Sequence, residues 1–176
     1  MPTMRIPLDA IKALREETGA AIGTVRSALE EAGGDPAKAR ELLKRKGVEA
    51  AQKRKDRAAS LGRVESYVHH DGRVGALVEI NCETDFVARL PEFQQFCREV
   101  AMQVASQQPS VVSKEQLPAG QRDAAVIKQA CLLEQSFIKD QGQSIGQLLT
   151  ALIAKTGENI VIRRFTRFGL GEQAGQ

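Results

Sequence analysis

Gly142-Gln-Ser144-Ile-Gly146 has the G-x-S-x-G spacing of a hydrolase nucleophile elbow. There a serine on a sharp strand-to-helix turn attacks an acyl carbon with help from a histidine later in the chain. Here no histidine follows His70, and the residues ahead of Ser144 read as polar turn formers rather than a strand. Ser144 with Gln147 three positions on instead spells a capping box for a following helix. His69 and His70 are adjacent at a hairpin, where a continuing strand would point them to opposite faces, and no cysteine or carboxylate lies at ligand spacing from them. Gly19-Ala-Ala-Ile-Gly23-Thr24 is rich in small residues but lacks the lysine and the spacing of a phosphate loop. Glu83 and Asp85, two apart, would project the same way from an extended segment, yet no set of titratable partners accompanies them. Cys82, Cys97 and Cys131 are odd in number, scattered, and free of a C-x-x-C pair, which fits reduced thiols in a cytosol. Neither an enzyme nor a metal or cofactor site is expected.

The elements that position these residues begin with three short helices. Leu8, Ile11 and Leu14 share one side of the first, which has Pro7 near its first turn and ends at Thr18-Gly19. Ile22, Val25 and Leu29 mark the second, which stops at Gly33-Gly34. Asp35 caps the third, Pro36 takes its first position, Ala39, Leu42 and Leu43 form its apolar side, and Gly47 closes it. So small a unit needs a larger companion, because little of its surface leaves water. Beyond it, residues 64–69 read as a strand, and Asp71-Gly72 as a type I′ hairpin turn. Val74, Ala76, Val78, Ile80 and Cys82 alternate on a returning strand, with Cys82 facing inward as a small hydrophobe. After the segment 83–90, Pro91 separates off a helix whose stripe is Phe93, Phe96, Cys97, Val100, Ala101 and Val104. A loop over 108–120, a helix over 123–134, a turn at 137–143, a helix carrying Ile145, Leu148, Leu149, Leu152 and Ile153, and a strand over 160–168 complete the pattern. Helices and strands mix without a βαβ rhythm, so the class is α+β. The expected division is a three-helix domain over 1–47, a basic, partly helical linker over 48–61, a core with a small antiparallel sheet over 62–170, and a frayed tail over 171–176.

The 176 residues are 42% hydrophobic and 27% charged, a globular composition. No apolar run approaches the roughly 18 residues of a membrane span, and the amino terminus lacks a secretory leader, so a cytoplasmic location is expected. Net charge is only +3, but seven basic residues against two acids lie between Lys44 and Arg57. Such a run can track phosphates. It lacks interleaved aromatics and a base-reading motif, so a solvated linker is preferred and RNA binding stands as the alternative.

Asn81-Cys-Glu-Thr-Asp-Phe-Val-Ala-Arg89, set between a hairpin and an amphipathic helix, resembles the signature of the elongation factor Ts family. Leu14-Arg-Glu-Glu-Thr-Gly-Ala20, Ala28-Leu-Glu-Glu-Ala-Gly-Gly-Asp35 and Phe137-Ile-Lys-Asp140 match it too, in the family's order. The resemblance implies a guanine-nucleotide exchange factor for elongation factor Tu, acting on its GDP-bound and nucleotide-free forms. It also implies a first module of ubiquitin-associated type and an α+β core of the dimerisation type. By motif position it assigns Asp85 and Phe86, with Val87 beside them, to a wedge that enters the GTPase domain and disturbs the magnesium and phosphate site. Thr84 would cap the turn that presents the ring. Ile22, Gly23 and Arg26 would dock the first module on the same domain. The family often has two methionines where this chain has Ile22-Gly23, so Gly23 lacks a large apolar contact. The second core subdomain and projecting hairpin of longer relatives have no counterpart between the Val104 helix and Phe137, which suggests pairing with a second copy. A membrane or nucleic-acid partner is not expected. An adaptor binding ubiquitin-like partners through the first module is a further alternative, resting on fold analogy.

Overall fold

A computed structural model describes residues 6–172; the expected frayed tail over 171–176 lies outside them from residue 173 onward. The chain divides into two compact units, residues 6–56 with Thr150–Gly157, and residues 57–149 with 158–172. The class is α+β, with helices leading and a mixed core following.

The first unit holds α1 (Leu8–Thr18), α2 (Ile22–Glu31) and α3 (Pro36–Arg54). Ile11, Leu14, Val25, Ala28, Leu29, Ala39 and Leu43 form its core. Burying so short an apolar list leaves each residue important, since every buried methylene contributes about 0.8 kcal/mol. Asp35 caps α3 by accepting from the N–H groups of Ala37 and Lys38 at 2.9 and 3.2 Å. Three expectations are corrected here. Leu8 and Ile22 share the helical spacing but are 60% and 52% exposed, so each apolar stripe is narrower than its periodicity suggests. Gly47 does not close α3, which runs on to Arg54. Gly47 is buried, and a Cβ placed on it would lie 3.6 Å from Ala154 Cβ, so its small size serves packing.

The second unit is built on a three-stranded antiparallel sheet in the order β1-β2-β5, with β1 Leu61–Val68, β2 Val74–Cys82 and β5 Val161–Gly169. Ala76, Val78, Ile80 and Cys82 are buried on one face of β2, as their alternation predicts. Helix α4 (Asp85–Arg89) follows β2, and α5 (Pro91–Gln107) buries Phe93, Phe96, Cys97, Val100, Ala101 and Val104. Then come α6 (Ala124–Ala130), the ribbon β3 (Ser136–Phe137) with β4 (Asp140–Ser144), and α7 (Ile145–Thr156), whose residues from 150 onward group with the first unit. The helix expected over 123–134 is shorter, ending at Ala130 before a 3₁₀ turn at Leu132–Glu134.

The β1–β2 connection departs from a type I′ turn. Gly72 alone takes a positive φ, +70°, and its N–H donates to His69 O at 2.8 Å. Asp71 keeps a negative φ and uses its carboxylate to accept from Arg73 N–H at 3.0 Å, an Asx turn that competes with the type I′ geometry. Because β1 ends at Val68, His69 and His70 do not fall on opposite faces, and their rings lie 4.3 Å apart.

Candidate functional site

Residues 81–90 form a turn and one short helix at the end of β2. Thr84 is extended (φ −127°, ψ 157°) and caps α4, its Oγ1 accepting from Val87 N–H at 3.4 Å. That matches the capping role expected of it. Asp85 in the first turn and Arg89 in the last join at 2.9 Å, an i, i+4 pair with the acid nearer the helix N-terminus. Val87 is buried and 6% exposed, which turns it inward as the anchor of α4 rather than a contact surface. Phe86, its neighbour, is 80% exposed. Leu90 is exposed as well, whereas Phe93 and Cys97 are buried, so the apolar spacing through 86, 90, 93 and 97 breaks at Pro91. A Phe so exposed adds little to this molecule's own core.

The turn is held from the connection between α7 and β5. Glu158 Oε2 accepts from the N–H groups of Glu83 and Thr84 at 3.1 and 3.0 Å, and Oε1 accepts from the Thr84 hydroxyl at 2.5 Å. In return, Glu83 Oε1 accepts from Asn159 N–H at 2.6 Å and lies 3.6 Å from Arg57 Nη1. Asn159 is buried, and its Nδ2 donates to Arg57 O at 2.7 Å. Glu83 and Asp85 therefore serve different partners and do not converge as a carboxylate pair. Cys82 Sγ donates to Thr84 O at 3.1 Å, and burial, with the Glu158 carboxylate next, pushes its thiol up to about 11. A thiol held neutral in this way is a packing group rather than a nucleophile. Glu158 and Asn159 were not foreseen from the sequence. Their local signal was no more than a charged and an amide residue directly after a helix-ending glycine, since the backbone groups they meet, at Glu83, Thr84 and Arg57, lie far away in the chain.

The first-module residues lie elsewhere, in the three-helix unit. Ile22 and Gly23 are exposed at the start of α2, and a Cβ on Gly23 would meet nothing within 4 Å. Arg26 is exposed and its Nε pairs with Glu30 at 2.9 Å.

The remaining chemical candidates resolve into structure. Ser144 N–H donates to Gln147 Oε1 at 2.8 Å and Ser144 Oγ accepts from Gln147 N–H at 3.2 Å, the expected capping box. One premise is corrected: a strand, β4, does precede Ser144. Its residues are mostly polar and exposed, which is why no alternation marked it. Among the described residues no group of three His, Cys, Asp or Glu side chains is placed to hold a metal ion. No helix of the described residues is long and apolar enough to cross a membrane. Part of the basic run meets internal acceptors. Lys44 pairs with Glu41 at 3.7 Å, while Arg45 and Lys46 share Glu31 at 3.8 and 2.7 Å. Arg54 donates to the carbonyls of Ala50 and Gly157, both at 2.8 Å.

Residues 49–124 match the family described as Elongation factor TS. The chain is 43% identical to the elongation factor Ts of Rubrobacter xylanophilus over 95% of its own length and 100% of the relative. It is 45% identical to that of Carboxydothermus hydrogenoformans, covering 95% of the chain and 90% of the relative. With that of Caldanaerobacter subterraneus subsp. tengcongensis the identity is 44%, over 95% and 98%.

Proposed function

Because the chain belongs to the elongation factor Ts family, we propose that it is a cytoplasmic, non-enzymatic guanine-nucleotide exchange factor for elongation factor Tu, with Phe86 as the wedge. The carrying observation is the ring's exposure, 80%, on a helix whose Val87 is anchored inward. An aromatic held in water on a capped turn is a ready contact for a partner's pocket, where anchors of this type supply much of the binding energy. Asp85 and Thr84 present it; Val87 fixes it from below. In this reading residues 1–47 dock on the GTPase domain through Ile22, Gly23 and Arg26, residues 48–61 link, and residues 62–170 carry the exchange surface.

Burying a Phe ring is worth roughly 1.5–3 kcal/mol, so one ring can weaken nucleotide binding by about two powers of ten at most. Any larger acceleration draws on the other contacts. The test is release of a fluorescent GDP from purified elongation factor Tu, with and without this protein. Catalysed release supports the reading; release at the spontaneous rate refutes it.

A second copy is proposed to cover the sheet face opposite α5. Its rows are Val64-Glu79-Arg164, Ser66-Leu77-Thr166 and Val68-Gly75-Phe168. Val64, Val68 and Phe168 are each about two-thirds exposed, and Leu77 is 43% exposed. Glu79 and Arg164, paired at 2.7 Å, supply both charge signs that a self-complementary surface uses. Sedimentation at the monomer mass across micromolar concentrations would remove this part of the proposal.

A further inference from the structure

We propose that Glu158 is a positioning residue for exchange, its carboxylate holding the Thr84 turn in the one arrangement that aims Phe86 outward. This rests on Phe86 being the wedge.

Helix α4 has five residues, too few to persist on its own hydrogen bonds. Its geometry must come from its ends. Glu158 takes two backbone N–H groups just ahead of it and the hydroxyl of its cap. An ionised carboxylate only accepts, so the Thr84 O–H is committed to Glu158 and the oxygen's lone pair is left for Val87 N–H. That bond sets the first turn, the turn sends Val87 into the core, and Phe86, about 100° round the helix from Val87, is left 80% exposed. Glu83 accepting from Asn159 N–H ties the same two connections together in the opposite sense. The link from a carboxylate at 158 to a ring at 86 therefore runs through one hydroxyl and one backbone N–H.

Removing the carboxylate leaves three donors without their acceptor. Hydrogen bonds to a charged group are strong enough that the competent arrangement becomes roughly 10- to 100-fold less populated. When only a fraction of molecules is competent, apparent affinity falls by that fraction while the bound state is unchanged. The expected signature is thus a split. The concentration of factor giving half-maximal GDP release rises by about tenfold or more, and the rate at saturation stays within about twofold. A residue that merely props the fold would lower the melting temperature and would act the same whether or not the ring is present.

The experiment measures stimulated release of fluorescent GDP from elongation factor Tu across factor concentrations. The proteins are the unaltered chain, Phe86→Ala, Glu158→Ala, Glu158→Gln and the Phe86→Ala/Glu158→Ala double variant, each with a melting curve. Glu158→Ala is expected to shift the half-maximal concentration in the presence of Phe86 and to add nothing in its absence. Glu158→Gln is expected to recover most of the loss, because its amide oxygen can take both N–H groups while its NH₂ donates to Thr84 Oγ1. Should Glu158→Ala not fold, Thr84→Val removes the bridging hydroxyl at nearly constant shape while leaving the two backbone N–H bonds to Glu158, and must raise the half-maximal concentration in the same direction. An unchanged half-maximal concentration, or an equal extra loss in the Phe86→Ala background, overturns the proposal. If Phe86→Ala itself exchanges normally, the wedge reading falls and takes this one with it. If Phe86→Ala is impaired and Glu158→Ala is not, only the role of Glu158 falls.

Discussion

Phe86→Ala separates the two jobs an aromatic side chain can do. A core ring stabilises its own molecule, whereas a wedge stabilises a complex. With the ring 80% exposed, only about a fifth of its burial energy, roughly 0.3–0.6 kcal/mol, belongs to folding. Alanine's better helix propensity returns up to about 0.5 kcal/mol at this position in α4. The net change in stability is near zero, and for a chain of this size the melting temperature should stay within about 2 °C. If the ring is the wedge, it contributes roughly 1.5–3 kcal/mol in the complex, and its loss should slow stimulated release by about 10- to 150-fold. Stopped-flow release of a fluorescent GDP from elongation factor Tu, at factor concentrations below saturation, reads that change. A melting curve on the same preparation reads the other. A fall in melting temperature beyond about 5 °C with release unaltered would show that the ring props its own fold.

Three further outcomes check other parts of the account. Gly62 has φ +137°, and a Cβ there would clash with Ile80 O, so Gly62→Ala should cost about 3 kcal/mol or more and lower the melting temperature by roughly 6–12 °C; a shift under about 2 °C would contradict the strand pairing at that point. All three cysteines are buried, burial pushing Cys82 up to about 11, Cys97 to about 12 and Cys131 in the same direction. At pH 8 the native protein should therefore leave an aromatic disulfide reagent unreacted and release three equivalents only after denaturation. Hydrogen bonds from Arg40 to Glu17, from Lys46 to Glu31 and from Arg164 to Glu79 hold those carboxyls below the usual Glu value. Lowered folded values mean stability is fully present above about pH 4.3 and is lost as pH falls through the folded values. Melting temperature should decline gently on acidification, and Glu17→Gln with Glu31→Gln should flatten that decline; an unchanged slope would place its origin elsewhere.

What the sequence made legible was local. The stripe of α5, the alternation of β2, the Asp35 cap and the Ser144–Gln147 box each depend on residues within about two turns of one another, where spacing alone dictates geometry. The Thr84 cap was legible through the resemblance and for the same local reason. What was not legible depended on distant partners. Gly47 looked like a helix end because its packing against Ala154 lies more than a hundred residues away in the chain. Leu8 and Ile22 fit the helical period, yet the unit is too small to cover them. Glu158 meets the Thr84 turn across a separation of 74 residues, with no local pattern to announce it. Strand β4 has the residues of a turn and is a strand only because β3 pairs with it.

If one ring loosens a nucleotide by competing with the grip on its phosphates, the nucleotide must loosen the ring's owner by the same factor. Affinity of this chain for elongation factor Tu, measured by calorimetry without nucleotide and again at saturating GDP, tests that directly. The dissociation constant should rise with GDP by the same factor, roughly tenfold or more, by which the chain weakens GDP binding. Equal affinity in the two titrations would contradict the account.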